Sequence, residues 1–146
     1  IYLGGELMLS QTMKIAGGAM TRGVATNLSL DQQESEEYKK AYGLSVQLEG
    51  KIATSLTPIL DNIALEVKKT IGNFEQKNQK QIILVVLAGG SVLMPGIAEY
   101  FTSKIGVDVQ LLDPSGFIQI DPTIQPVIKT NAPLFIVAFG LALNKL

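Results

Sequence analysis

An unbroken apolar run, Ile82-Ile83-Leu84-Val85-Val86-Leu87, leads straight into Ala88-Gly89-Gly90-Ser91, and Pro95-Gly96 follows. Branched side chains are stiff at χ1 and favour extended backbone. A run without polar alternation suits a strand buried on both faces. The glycines end that strand, and Pro95-Gly96 opens a helix reaching to about Ile105, where Gly106 stops it. Val107 to Leu112 then reads as a second strand. Strand, glycine turn, helix and strand in this order define an α/β fold.

The remaining elements follow from the same rules. Leu7, Leu9, Met13 and Ile15 carry a period of two that predicts a strand from Leu7 to Ile15, despite Gln11. Ile1-Tyr2-Leu3 before Gly4-Gly5 reads as the end of an earlier strand in a hairpin, as expected for the C-terminal part of a longer protein. After Gly17-Gly18, the residues Met20, Val24 and Leu28 take helical spacing. Asp31 with Glu34 forms an acidic relative of a capping box, predicting a helix over 32–42 that Gly43 terminates. Leu48, Ile52, Leu56, Ile59, Ile63, Val67, Ile71 and Phe74 step along one helical stripe. Thr57-Pro58 predicts a helix boundary or kink within it, because proline is best tolerated in a first turn. Residues 113–132, with Pro114, Pro122 and Pro126, read as irregular, and 133–146 as a closing apolar helix. There is no internal repeat, low-complexity stretch or linker, so residues 1–146 are one domain with a helical insertion at about 17–78.

Composition closes off several kinds of chemistry. With no Cys and no His, the chain can build neither a Ser-His-Asp triad nor a thiolate metal site. Its 12 basic and 13 acidic side chains leave no excess to release counterions from a nucleic acid. Mean hydropathy is positive at +0.28. Yet the uncharged run Ile82 to Ala98 is broken by glycine and proline, and Thr130 to Leu143 is shorter than the ~20 residues of a spanning helix. No transmembrane segment or signal peptide is legible, so the sequence reads as soluble and cytoplasmic.

Three features remain as candidates for a site. Gly89-Gly90-Ser91 lies at the carboxyl end of a strand, where ligands gather in open α/β sheets. It also has a plain reading as a tight turn, and it is neither Gly-x-Gly-x-x-Gly nor a Walker loop. Gly17-Gly18 follows a strand in the same way, so the two glycine pairs could face one cleft. Glu36 and Lys39 share a helix face at i and i+3. Their plain reading is a solvated ion pair of a few tenths of a kcal/mol. Asp108, Asp113 and Asp121 lack metal-ligand spacing, and the four methionines read as core filler.

Together these pieces resemble the actin-like ATPase superfamily. Leu87 to Gly96 resembles its adenosine motif in the Gly-Gly-x-x-x-x-Pro-Gly form. Ser35 to Gly43 is similar to the Ala-Glu-x-x-Lys-x-x-x-Gly segment of bacterial members, and Gly17-Gly18-Ala19-Met20-Thr21 to their Gly-Gly-x-Met-Thr. The order of these motifs, with Ala132-Pro133 and Phe139-Gly140-Leu141-Ala142-Leu143 after them, most resembles the PilM family of type IV pilus assembly proteins. FtsA and MreB proteins share the first three motifs and end differently.

The resemblance implies the second major domain of an actin-like (ribonuclease H-like) ATPase, a mixed sheet flanked by helices with a helical insertion. It implies an ATP site in which Gly17, Gly18, Glu36, Lys39, Gly89, Gly90 and Ser91 bind nucleotide. The Mg²⁺ ligands and phosphate loops are expected upstream of Ile1. Catalytic residues are unassigned, and no ATP hydrolysis is expected of these residues alone. The implied role is a cytoplasmic scaffold of pilus assembly or a related secretion system, recruiting a PilN-like inner-membrane partner. A filament-forming FtsA- or MreB-like protein and a small-molecule phosphotransferase of the same superfamily are the alternatives.

Overall fold

The computed structural model describes residues 1–14, 17–113 and 120–143. Strands β1 (Tyr2–Leu3) and β2 (Glu6–Leu7) form an antiparallel hairpin. Three helices follow, α1 (Gly17–Leu28), α2 (Gln32–Tyr42) and α3 (Lys51–Asn78). Strand β3 (Leu84–Leu87), helix α4 (Ile97–Ile105) and strand β4 (Asp108–Leu111) then form a parallel crossover. Helices α5 (Gln125–Asn131) and α6 (Ile136–Leu143) complete the described fold. Strands of both senses are present, in two small sheets that share no ladder.

The core forms where α3 meets α1 and α4. Ile52, Leu56, Leu60 and Ala64 of α3 pack with Val24 of α1 and with Ile97, Phe101 and Ile105 of α4. Met94 and Val109 close this cluster on the sheet side. Tyr100 clips α4 to α3, donating to Asp61 Oδ1 at 2.7 Å, and Lys104 Nζ reaches the same carboxylate at 2.6 Å.

α2 begins as its sequence dictates. Glu34 N–H donates to Asp31 Oδ1 at 2.8 Å, and Asp31 N–H donates back to Glu34 Oε2 at 3.3 Å, completing the capping box. Gly43 ends the helix at φ +47°, donating to Lys39 O.

Four expectations are corrected. The expected boundary at Thr57-Pro58 is not there, and α3 runs through Pro58. The break lies earlier, at Leu48, Glu49 and Gly50, all with positive φ. Burial of Ile52, Leu56 and Leu60 around Pro58 outweighs the roughly 3 kcal/mol local cost of an interior proline. The inward stripe accordingly shifts to Leu60 and Ala64, leaving Leu48 exposed and Ile59, Ile63 and Val67 half-buried.

The strand expected from Leu7 to Ile15 is ordered as β2 alone, and Ile15 lies outside the described residues. Met8 N–H and Leu9 N–H both donate to Ile1 O and the Ile1 amino group donates to Leu9 O at 2.7 Å, while residues 10–14 pair with no described strand. β3 is not buried on both faces: Val85 and Leu87 face the core, while Ile83 is 83% exposed and Leu84 and Val86 are also exposed. The core packs against one side of this sheet only. Finally, the region expected to be irregular contains α5, where Pro126 occupies the first turn, the position at which a missing N–H costs least. Pro114 lies outside the described residues, as do 144–146 of the expected last helix.

Candidate functional site

The first turn of α1, the outer face of α2, the Gly90–Leu93 3₁₀ turn after β3 and the α5–α6 junction surround one open cleft of about 850 Å³. Gly17, Gly18, Glu36, Lys39, Gly90 and Ser91 all line it. Gly89 does not. It takes φ +100°, and its N–H donates to Pro133 O at 2.9 Å, tying the turn to the α5–α6 junction.

Side chains of neighbouring segments crowd two of these glycines. A Cβ on Gly17 would lie 2.5 Å from Ser91 Oγ, so the first turn of α1 meets the 3₁₀ turn directly. A Cβ on Gly90 would lie 3.1 Å from Leu134 Cδ2. Gly18 is less confined, with only the Arg22 guanidinium 3.4 Å away.

The Glu36–Lys39 pair is not the solvated pair of its plain reading. Lys39 is only 1% exposed, and its Nζ donates to Glu36 Oε2 at 2.5 Å and to Thr21 Oγ1 at 3.0 Å. A buried ammonium needs such partners. The Thr21 hydroxyl lies 2.5 Å from the same Oε2 and 3.1 Å from Gly17 O, and its single proton goes to one of them. Lys40 approaches the other carboxylate oxygen at 3.3 Å. Burial is the largest single influence on the Glu36 carboxyl and opposes its charge. The hydrogen bonds from Lys39 and Thr21, the Lys39 charge and Lys40 together outweigh it and hold the carboxyl down at about 2. Glu36 thus presents a fixed carboxylate at the cleft wall.

Several lining residues were not singled out from sequence: Thr21, Gln32, Gln33, Lys40, Leu93, Asn131 and Leu134. Thr21 had a signal, since it follows Gly17 by one helical turn and shares its face. Gln32, Gln33 and Lys40 lie three or four positions from Glu36 on the same helix. Asn131 and Leu134 had none, because only the tertiary fold brings them to the cleft. Among the described residues, no three acidic side chains cluster in a way that could hold a metal ion. No described helix is long and apolar enough to cross a membrane.

The chain matches the family model described as type IV pilus assembly protein PilM over residues 1–146. Among solved structures it is similar to the "PilM-PilN type IV pilus biogenesis complex", with a TM-score of 0.75 and 26% identity. That match covers 90% of this chain and 37% of the other. It is also similar in fold to the ethanolamine utilization protein EutJ from Carboxydothermus hydrogenoformans, with a TM-score of 0.60 and 24% identity, covering 90% and 41% of the two chains. Both neighbours have the actin-like ATPase fold, and the chain spans well under half the length of either. No curated protein sequence matches.

Proposed function

Because this chain belongs to the PilM family of type IV pilus assembly proteins, we propose that it is the nucleotide-binding second domain of an actin-like scaffold working at the cytoplasmic face of the inner membrane. The reading rests on one observation: Gly17, Gly18, Gly90, Ser91 and the Glu36–Lys39 pair converge on a single cleft. Its volume lies in the range of small-molecule sites. The residues fit ATP. Gly17 and Gly90 keep side chains out of a narrow approach, and Glu36 offers a carboxylate to ribose hydroxyls. Of its two oxygens, Oε2 is taken up by Lys39 and Thr21, leaving the one near Lys40 with capacity to accept. Lys39 acts by holding that carboxylate in place. Mg²⁺ receives no ligand from the described residues in this reading, and no catalytic step is assigned to them.

ATP, when bound, would supply a state distinguishable from ADP by its γ-phosphate. The protein's use of that state would be to shift how it presents a surface to a PilN-like membrane partner. Support for the partner is the similarity to the PilM-PilN complex. The test is the affinity of the full-length protein for the cytoplasmic peptide of a PilN-like partner with Mg·ATP, with Mg·ADP and with neither. Coupling of the usual size shifts that affinity by about fivefold or more. Equal affinity in all three conditions contradicts the scaffold reading.

A further inference from the structure

Away from the cleft, the two small sheets border one apolar groove of about 540 Å³. Tyr2 of β1 lines it, as do Leu84, Val85 and Val86 of β3 and Val67 and Ile71 of α3. Successive residues of a strand point to opposite faces, so a groove lined by Leu84, Val85 and Val86 in turn runs along the edge of β3. Among the described residues β3 pairs with β4 alone, and β1 with β2 alone.

The hydrogen bonds identify the backbone groups left over at those edges. Leu112 N–H donates to Leu87 O at 2.9 Å, so Leu87 and, two residues earlier, Val85 turn their backbone groups towards β4. Leu84 and Val86 alternate with them and turn their N–H and C=O groups to the groove. On the hairpin, Ile1 O accepts from Met8 N–H at 2.9 Å, so Tyr2 turns its backbone groups away from β2. Apolar walls between two free strand edges suit one kind of occupant, an added strand.

We infer that the groove holds a β-strand of the same polypeptide, N-terminal to Ile1, which bonds to β3 and β1 at once and joins the two small sheets into one. This chain spans 37% of the chain in the PilM-PilN structure, so a protein of that length has residues to supply the strand. A segment just before Tyr2 reaches the free edge of β1 by the shortest connection, as consecutive strands usually do. β3 runs into the turn that carries Gly90 and Ser91, so the added strand also braces that wall of the cleft. The inference is independent of what the cleft binds.

Site-resolved amide hydrogen exchange on the full-length protein tests it. With the strand in place, Leu84 and Val86 exchange within about tenfold of Val85 and Leu87, because all four need the same opening. Nuclear Overhauser contacts from the Leu84 and Val86 amides then run to residues N-terminal to Ile1, and the pattern is the same at every protein concentration. Exchange of Leu84 and Val86 more than about tenfold faster than their two neighbours marks a free edge and overturns the inference. So does protection that appears only as the protein dimerises or only with a PilN-like partner added, since the strand then comes from another chain.

Discussion

Gly43 and Pro95 touch: a Cβ on Gly43 would lie 2.7 Å from Pro95 O, and Leu44 N–H donates to that same oxygen at 2.9 Å. The glycine that ends the Glu36–Lys39 helix is thereby seated on the Pro95-Gly96 pair that precedes α4. A Cβ on Gly96 would in turn lie 3.2 Å from Leu44 Cβ. Together with Gly17 against Ser91, this contact ties the wall carrying Glu36 to the turn carrying Gly90 and sets the width of the cleft.

Gly43→Ala should therefore destabilise the protein by about 2–4 kcal/mol. The new methyl meets backbone that cannot move aside, and the positive φ adds its own cost. Urea unfolding measures this through a lowered midpoint at unchanged m-value. A loss below half a kcal/mol would mean the two segments separate easily.

At Gly17 the obstacle is a hydroxyl that can rotate, so the outcome differs. Gly17→Ala should cost only about 1 kcal/mol, and Ser91→Ala in the same background should recover most of it. A double-mutant cycle reports the coupling between the two sites. Additive effects would contradict the contact.

Glu36 makes stability depend on pH in a defined direction. Its folded carboxyl is held at about 2 against an ordinary value of 4.5, so its contribution is complete above pH 4.5 and disappears as pH falls towards 2. Glu36→Gln should flatten that part of the stability–pH curve. At neutral pH it should cost about 3 kcal/mol, because the buried Lys39 loses its counter-charge. Chemical denaturation at a series of pH values tests both points, and a curve of unchanged shape would refute the assignment.

Tyr100→Phe removes a hydroxyl that donates to Asp61 at 2.7 Å while leaving the ring against Phe101. The expected loss is about 1 kcal/mol, with no change in nucleotide binding because this clip lies outside the cleft. Thermal unfolding and nucleotide titration of one variant separate the two effects.

Local signals account for much of the fold. The Asp31–Glu34 box and Gly43 bound α2, and Gly96 and Gly106 bound α4, because caps act through neighbouring backbone. Long-range competition explains the failures. Pro58 stays inside α3 because the packing of Ile52, Leu56 and Leu60 is worth more than one local bond. Ile83 and Val86 read as buried from their apolarity alone, whereas burial depends on what lies opposite, which no local window contains. At the site, the glycines and Glu36–Lys39 were visible as motifs. The burial of Lys39 was not, because it depends on Thr21, contributed from α1. Asn131 joins the cleft from the far end of the described chain and left no trace in local spacing.

The most direct test of the nucleotide reading is a calorimetric titration of Mg·ATP into the full-length protein, wild type beside Glu36→Gln, with Glu66→Gln on the exposed face of α3 as control. Saturable binding is expected in the wild type and the control, weakened by about 1.5–3 kcal/mol in Glu36→Gln, the usual worth of a hydrogen bond to a charged group. No saturable binding in the folded wild-type protein, or equal affinity in all three, would contradict a nucleotide site at this cleft.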